Sequence, residues 1–357
     1  MKLRSRIACS TAGAIAAALL AQSFSNEAVA GTKGTIVAFV ISSTNPYIGQ
    51  WEKGAKAKAD ELGYDIKFIE NNFNQTEEDN QVRQELASGE KAAGYIWWPM
   101  QNAAGIGSLR DLSKTGAPVI LTNQYPVKGS DAYWTAYAGA SDVLSGKVAA
   151  QMLLEACAKQ TKVKCDKGLI IRFPAGYSAG DDRVTGFEDV AKGKLTVADV
   201  VPSAGFMEDD GYKVASQIIP AHKQGLTWIY TENDSMAGAT AQALKENGLT
   251  PGKDVFVVGG TCHGDPTHVV NGDLVGTAIQ SGYFEGWLAV QTLAKYKAAG
   301  KVLDGEKFYD ANPDTPPPDQ GAPYKFNFIP NPPVSNTQAA YDSTKMWGKT
   351  IKELCDF

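Results

Sequence analysis

The stretch Thr35–Ile41 (TIVAFVI) is uninterruptedly apolar and rich in β-branched residues, the pattern of a strand buried on both faces. From about Pro46 the apolar positions recur every fourth residue (Trp51, Ala55, Ala59) until Gly63, which predicts a helix stopped by glycine. The alternation continues with strands at Asp65–Glu70, Gly94–Trp98, Val119–Thr122 and Trp134–Ala138, and helices at Gln75–Ser88 and Gly105–Lys114. After a helix at Val143–Lys159 the same alternation runs again. Its strands are Gly168–Phe173, Val197–Pro202, Thr227–Glu232, Val255–Gly259 and Leu274–Gln280. Its helices are Asp182–Lys192, Gly211–Pro220, Asp234–Asn247, Thr267–Asn271 and Tyr283–Lys297. Such spacing predicts right-handed βαβ units and two parallel sheets. Loops at the carboxyl ends of the strands of an open α/β sheet form its ligand crevice. Two such crevices face to face imply a cleft that closes on something small.

Both ends of the chain depart from this pattern. Residues 312–333 hold eight of the chain's 17 prolines, which predicts an extended strap rather than a helix or a central strand. A last helix, about Thr337–Leu354, carries Trp347, Ile351 and Leu354 on one stripe and should dock on the body. At the start, basic Lys2, Arg4 and Arg6 precede an apolar Ala12–Ala21, and Ala28-Val29-Ala30 forms a small-x-small site before Gly31. Residues 1–30 therefore read as a cleavable signal peptide, with an apolar run short of the ~20 residues of a membrane span. The expected location is the periplasm.

Without those 30 residues, which hold three basic side chains and one acid, 31 basic and 38 acidic residues remain, a net charge of −7. That balance, with no long basic run, argues against nucleic acid or anionic lipid as partner. Cys157, Cys165, Cys262 and Cys355 remain after Cys9 is removed, an even number that suggests two disulfides with three possible pairings. A local Cys157–Cys165 bridge is the easiest closure, and it would leave Cys262 with Cys355.

The strand ends carry the chemistry. Ser42-Ser43-Thr44-Asn45-Pro46-Tyr47 follows the first strand, Trp97-Trp98 close the third, and Asn123-Gln124-Tyr125 follow the fourth. In the second half come Asp181-Asp182-Arg183, Phe206, Glu232-Asn233-Asp234, Thr261 and Gln280. Amides donate and accept hydrogen bonds as hydroxyls do, arginine offers a fixed fork of donors, and flat rings cover the C–H face of a sugar. Each Asn, Asp or Ser after a strand is also an ordinary helix cap, Asp234 in particular. Aromatics and amides recurring in both halves are less easily explained as caps.

Other constellations are weaker. Gly176-Tyr177-Ser178-Ala179-Gly180 fits a nucleophile elbow between strand and helix, and His222, His263 and His268 follow it. No HGGG-type segment accompanies it, so a turn of small residues is the simpler reading. Cys262, His263 and His268 lack a second pair at zinc spacing. Gly348-Lys349-Thr350 has neither the first glycine of a phosphate loop nor a preceding strand. No cofactor, metal or catalytic residue is expected.

Over roughly residues 34–300 the chain resembles the ribose-binding group of bacterial periplasmic solute-binding proteins. The matching segments are Asn45-Pro46-Tyr47, Ser178 to Phe187 with Arg183-x-x-Gly186-Phe187, Glu232-Asn233-Asp234-Ser235-Met236, Val257-Val258-Gly259 and Thr277-Ala278-Ile279-Gln280. The resemblance implies a type I periplasmic binding fold: two Rossmann-like, doubly wound parallel-sheet lobes joined by a three-crossover hinge. It implies capture of a sugar or sugar-like polyol and delivery to the transmembrane permease of an ABC transporter. The first lobe would comprise 34–139 and 281–302, the second 140–280, with 303–357 packed on the body. Hinge points are expected near Gly139–Ser141, near Gln280 and after Lys301. Carried over, the ligand-facing residues are Asn45, Tyr47, Arg183, Phe206, Asn233 and Gln280, and the strand ends add Trp97, Trp98, Asn123, Gln124 and Thr261. The group often has Asp-Arg where this chain has Asn123-Gln124, and Phe-Asp where it has Gly260-Thr261. Ribose itself, or a ligand so polar, is therefore in question. A monomer is expected. A secreted hydrolase using Ser178, and a sensor presenting its ligand to a membrane receptor kinase, are the competing functions.

Overall fold

The computed structural model describes residues 33–160, 164–312, 314–315, 321–336 and 338–355; the signal-peptide segment lies outside them. In chain order the first repeat is β1 (Thr35–Ile41), α1 (Pro46–Leu62), β2 (Asp65–Asn71), α2 (Gln75–Ser88), β3 (Gly94–Trp97), α3 (Ile106–Ser113), β4 (Val119–Leu121) and β5 (Ala136–Gly139). The second is α4 (Asp142–Lys159), β6 (Lys167–Arg172), α5 (Ser178–Ala191), β7 (Thr196–Pro202), α6 (Glu208–His222), β8 (Trp228–Thr231), α7 (Asp234–Glu246), β9 (Phe256–Gly260), α8 (Thr267–Val270) and β10 (Leu274–Ala278). Then follow α9 (Gly282–Ala299), β11 (Leu303–Phe308), β12 (Tyr324–Phe328), β13 (Pro333–Ser335), α10 (Gln338–Ser343), β14 (Lys345–Met346), β15 (Lys349–Thr350) and α11 (Ile351–Cys355).

The strands form two main sheets, ordered β11-β12-β5-β4-β3-β1-β2 and β13-β10-β9-β8-β6-β7. Within each, the repeat's five strands take the order 2-1-3-4-5, so the duplication visible in the hydropathy is a duplication of topology. All pairings in the first sheet are parallel. In the second only β13 runs antiparallel, against β10. The order reverses beside β1 and beside β6, and there each sheet opens a crevice at its carboxyl edge.

Local signals explain the elements that aim at this crevice. Asn45 caps α1 by accepting from Tyr47 N, Pro46 presets the first turn, and Gly63 at φ 76° ends the helix. Asn233 caps α7 in the same way through Met236 N. In the second lobe α4 and α5 approach so closely that a Cβ on Gly146 would lie 2.0 Å from the Arg183 carbonyl oxygen. This contact sets α5, and Arg183 on it, against the start of α4.

The chain passes between the sheets three times: from β5 to α4, from β10 to α9, and from β12 to β13. The crossings lie side by side, because Ile329 N donates to Gly139 O at 2.9 Å and Ile279 N to Pro332 O at 3.0 Å. The first two coincide with the hinge points read from the sequence, and the third runs through 329–332.

Two expectations fail at the C-terminal end. The Pro-rich segment contains a central strand, β12, flanked by β5 and β11. The prolines bracket it without entering it: Tyr324–Phe328 lies between Pro323 and Pro330 and keeps every ladder N–H. Residues 303–357 are thus no separate strap; β11 and β12 extend the first sheet and β13 the second. The last helix is also not continuous. Trp347 (φ 48°) and Gly348 (φ 80°) form a tight turn between β14 and β15, leaving α10 and α11 as short separate helices. Trp347, Ile351 and Leu354 are nevertheless buried.

Two disulfides staple the fold, Cys157–Cys165 and Cys262–Cys355. The second ties α11 to the loop after β9 in the second lobe. The Trp347 ring meanwhile packs against Phe284 and Trp287 of α9, which lies on the first lobe (centroids 4.6 and 6.0 Å). The C-terminal segment therefore fastens one lobe to the other. Chain-entropy reasoning gives about 4–5 kcal/mol for a bridge closing a loop this long and about 2–3 kcal/mol for the short one. Urea unfolding of the Cys262→Ser/Cys355→Ser and Cys157→Ser/Cys165→Ser double variants should show the larger loss for the former; equal losses would contradict the stapling role.

Candidate functional site

The carboxyl edges of both sheets meet around a cavity of about 60 Å³, on the order of five water positions at ~10–15 Å³ each. Seven residues of the first lobe line it (Ile41, Asn45, Tyr47, Ile48, Phe73, Trp98, Asn123) and seven contributed by the second and its exit crossover (Phe173, Tyr177, Arg183, Phe206, Asn233, Thr261, Gln280). All but Ile41, which ends β1, stand on segments that follow a strand.

Arg183 is the one formally charged residue among them. It is almost fully buried, and its donors are directed: Nε to Asp142 Oδ1 at 2.8 Å, Nη1 to Glu232 O at 2.6 Å and Nη2 to Gln280 Oε1 at 3.0 Å. Its plane lies over the Phe173 ring at 4.9 Å. Burial is the largest influence and opposes its charge, but Asp142, Tyr230 and Glu232 together outweigh it and hold the guanidinium protonated.

From Arg183 the network continues through Gln280, whose Nε2 donates to Tyr47 OH at 3.0 Å, and Tyr47 OH donates to Glu285 Oε2 at 2.6 Å. Glu285, fully buried on α9, also accepts from the first hinge crossing, Ala140 N, at 3.2 Å and from Asn123 Nδ2 at 3.4 Å. Burial pushes its carboxyl up to about 7 against the opposing hydrogen bond from Tyr47. Across the cleft, Tyr177 OH donates to Asn123 Oδ1 at 2.8 Å and accepts from Trp98 Nε1 at 3.3 Å. Asn45 Nδ2 faces Met207 Sδ at 3.6 Å. The lobes are thus joined across the cavity by side chains as well as through the hinge.

Backbone strain gathers here too. Phe73, Asn123, Thr261 and Cys262 are four of the five non-glycine residues with positive φ among the described residues. The β-branched Thr261 at φ 78° is the most unusual of them. Its neighbour's disulfide anchors that loop from outside.

Nine of the eleven residues singled out in the sequence line this cavity. Trp97 and Gln124 do not, which corrects two assignments. Trp97 belongs to β3, where successive side chains alternate between faces, and it packs against Phe39 on the face away from the cavity (6.0 Å). Gln124 bridges the lobes outside the cavity, its Oε1 accepting from Ser178 Oγ at 3.1 Å and its Nε2 donating to Pro99 O. Sequence reasoning missed Ile41, Ile48, Phe73, Phe173 and Tyr177. Phe73 and Phe173 obey the same strand-end rule as the residues it found. Glu285 and Asp142, one layer behind the wall, were missed as well. A lone acid in the apolar run Gly282–Val290 was the available signal for Glu285.

Ser178 is held by amides: it accepts from Asn102 Nδ2 at 2.9 Å and donates to Gln124. The histidines stand elsewhere, His222 facing Asp199, His268 facing Asp273, and His263 against the Tyr47 ring. Of Gly348-Lys349-Thr350, Gly348 lies in the β14–β15 turn and Lys349–Thr350 form β15 itself.

A family model described as a periplasmic binding protein domain matches residues 36–301. The chain belongs to this periplasmic binding protein family. Members are periplasmic solute-binding proteins. The ribose import binding protein RbsB of Escherichia coli (strain K12) is 29% identical over 296 residues, covering 82% of this chain and 92% of that protein. RbsB of Salmonella typhimurium (strain LT2) is 30% identical over 297 residues, with the same coverage, 82% and 92%. Among solved structures, a galactofuranose binding protein superposes with a TM-score of 0.72 at 19% identity, over 86% of this chain and 96% of that one. The family match stops before β11, so β11 and β12, which extend the first sheet, and the disulfide-tied C-terminal segment lie outside it.

Glu285 makes stability depend on pH with a definite sign. Its carboxyl is raised from an ordinary 4.5 to about 7, so its contribution is complete below pH ~4.5 and is lost as pH rises through ~7. Glu285→Gln removes that dependence. The stability of the variant relative to the parent should rise between pH 5 and 8 by on the order of 3 kcal/mol, measured by denaturant unfolding at each pH. Parallel pH profiles would contradict it.

Proposed function

We propose that this protein is an exported solute receptor that captures a sugar or sugar-like polyol between its lobes and hands it to the membrane permease of an ABC transporter. The observation that carries this reading is the cavity itself, lined equally from both lobes by rings, amides and one arginine at the strand ends. The names of the relatives, ribose import and galactofuranose binding, support the ligand class. In this reading residues 1–30 direct export and are removed, and the receptor works as a monomer without nucleic acid, cofactor or catalysis. The amide surroundings of Ser178 favour binding over hydrolysis.

Ligand settles on one open lobe, and rotation about the three adjacent crossings brings the other over it. The lobes divide near Ala140, near Gln280 and at 329–332. Tyr47, Trp98 and Phe206 cover the faces of the ring, while Asn45, Asn123, Arg183, Asn233 and Gln280 meet its polar atoms. Tyr177 closing onto Asn123 marks the bound geometry.

A thermal-shift screen of the mature protein against pentoses, hexoses and polyols tests the reading, since a ligand far above its Kd adds a few kcal/mol, about 2.7 at a hundredfold excess. No stabiliser among them would refute it. For the strongest stabiliser, Arg183→Ala should weaken binding by about 10–100-fold, the worth of ~1.5–3 kcal/mol for a charged donor, measured by titration calorimetry. Because that change strands buried Asp142, the Arg183→Met/Asp142→Asn double variant separates folding from binding. It should fold and still bind poorly. Parental affinity in the double variant would remove Arg183 from the ligand's partners.

A further inference from the structure

The turn Gly176-Tyr177-Ser178-Ala179-Gly180 carries a serine hydroxyl that the cavity does not use. Ser178 opens α5, a place where serine ordinarily caps its own helix. Here the N-cap residue is Tyr177, and its side chain makes no capping hydrogen bond. The Ser178 hydroxyl turns instead to the other lobe, accepting from Asn102 Nδ2 at 2.9 Å and donating to Gln124 Oε1 at 3.1 Å.

The direction of both bonds is fixed by their neighbours. Gln124 Nε2 donates to Pro99 O, a carbonyl that only accepts, so Oε1 is the atom that faces Ser178 and the hydroxyl hydrogen lies between them. Asn102 Nδ2 carries two hydrogens, one for Tyr125 O and one for Ser178 Oγ. A hydroxyl serves both amides because it donates and accepts at once. Tyr177 and Ser178 thus dock on two consecutive residues of the first lobe. Tyr177 OH, on the cavity wall, donates to Asn123 Oδ1 at 2.8 Å, and Ser178 donates to Gln124. Gly176 at φ 87° makes the turn that presents the pair. Ser178, Asn102 and Gln124 do not line the cavity, so they do not compete with a ligand for partners.

We propose that Ser178 is a positioning residue for ligand capture: its hydroxyl fastens the second lobe to the first in the ligand-bound arrangement without touching the ligand. This rests on the reading of the cleft as a receptor that opens and closes. With the lobes apart, water satisfies the hydroxyl and both amides. With the lobes joined, removing the hydroxyl leaves an Asn102 N–H and the Gln124 C=O without their partner. The loss falls on the joined arrangement alone, hence on affinity and above all on release of the ligand.

The test uses the mature protein and the strongest stabiliser among D-ribose, L-arabinose, D-galactose, D-glucose, erythritol and myo-inositol. Ser178→Ala should weaken its binding by about five- to tenfold in calorimetric titration. In stopped-flow measurements the change should appear in koff, with kon within about twofold of the parent. The urea midpoint of the ligand-free variant should stay at the parent's value. In a Gln124→Ala background the same substitution should cost less affinity than in the parent, because the acceptor is already gone. Parental affinity in folded Ser178→Ala, a loss carried by kon, a loss matched by an equal fall in ligand-free stability, or additive losses in the double variant would each overturn the inference and leave the receptor reading intact. Binding of none of these ligands to the parent overturns both.

Discussion

A single run of buried hydrogen bonds organises this molecule: Asp142 to Arg183, Arg183 to Gln280, Gln280 to Tyr47, Tyr47 to Glu285, Glu285 to Asn123, Asn123 to Tyr177, and Tyr177 to Trp98. It begins in the second lobe, passes through a hinge crossing into the first, and returns across the cleft. Every member is buried, so each depends on its neighbour for the partner that water would otherwise supply. The arrangement of the lobes is therefore coupled to the internal geometry of the site. Tyr177–Asn123 and Trp98–Tyr177 cross the cleft directly, and the other links lie within a lobe or along the hinge.

The parallel sheets make this possible. Strands covered on both faces can be wholly apolar, as β1 is, and the polar functions are pushed to the loops at the strand ends. Two sheets of the same 2-1-3-4-5 order bring two sets of such loops together. The strained backbone at Asn123, Thr261 and Cys262 lies where those sets converge, held by a disulfide on one side and the hydrogen-bond run on the other. The C-terminal segment closes the frame, bonded to the loop of the second lobe and packed through Trp347 on α9 of the first.

Much of this was legible in the residues. Apolar runs marked nearly every strand of the two repeats, because burial on both faces leaves little choice of side chain. Asn45, Gly63 and Asn233 marked helix ends, since capping is local chemistry. The strand-end rule found nine cavity residues but treated Trp97 and Trp98 alike, and only the register of β3 separates them. Composition misread the C-terminal region. Eight prolines obscured a five-residue strand between two of them, and the turn at Trp347-Gly348 interrupted a helical stripe that spacing alone supported.

The order of elements, the doubled α/β pattern, the capping residues and the kinds of side chain at the cleft follow from the sequence alone, because short-range sterics and burial decide them. Which side chain enters the cavity and which carboxylates stand behind it were decided only in three dimensions. Those properties depend on partners far apart in the chain, Tyr47 with Glu285 or Arg183 with Gln280, and no local pattern encodes the distance between them.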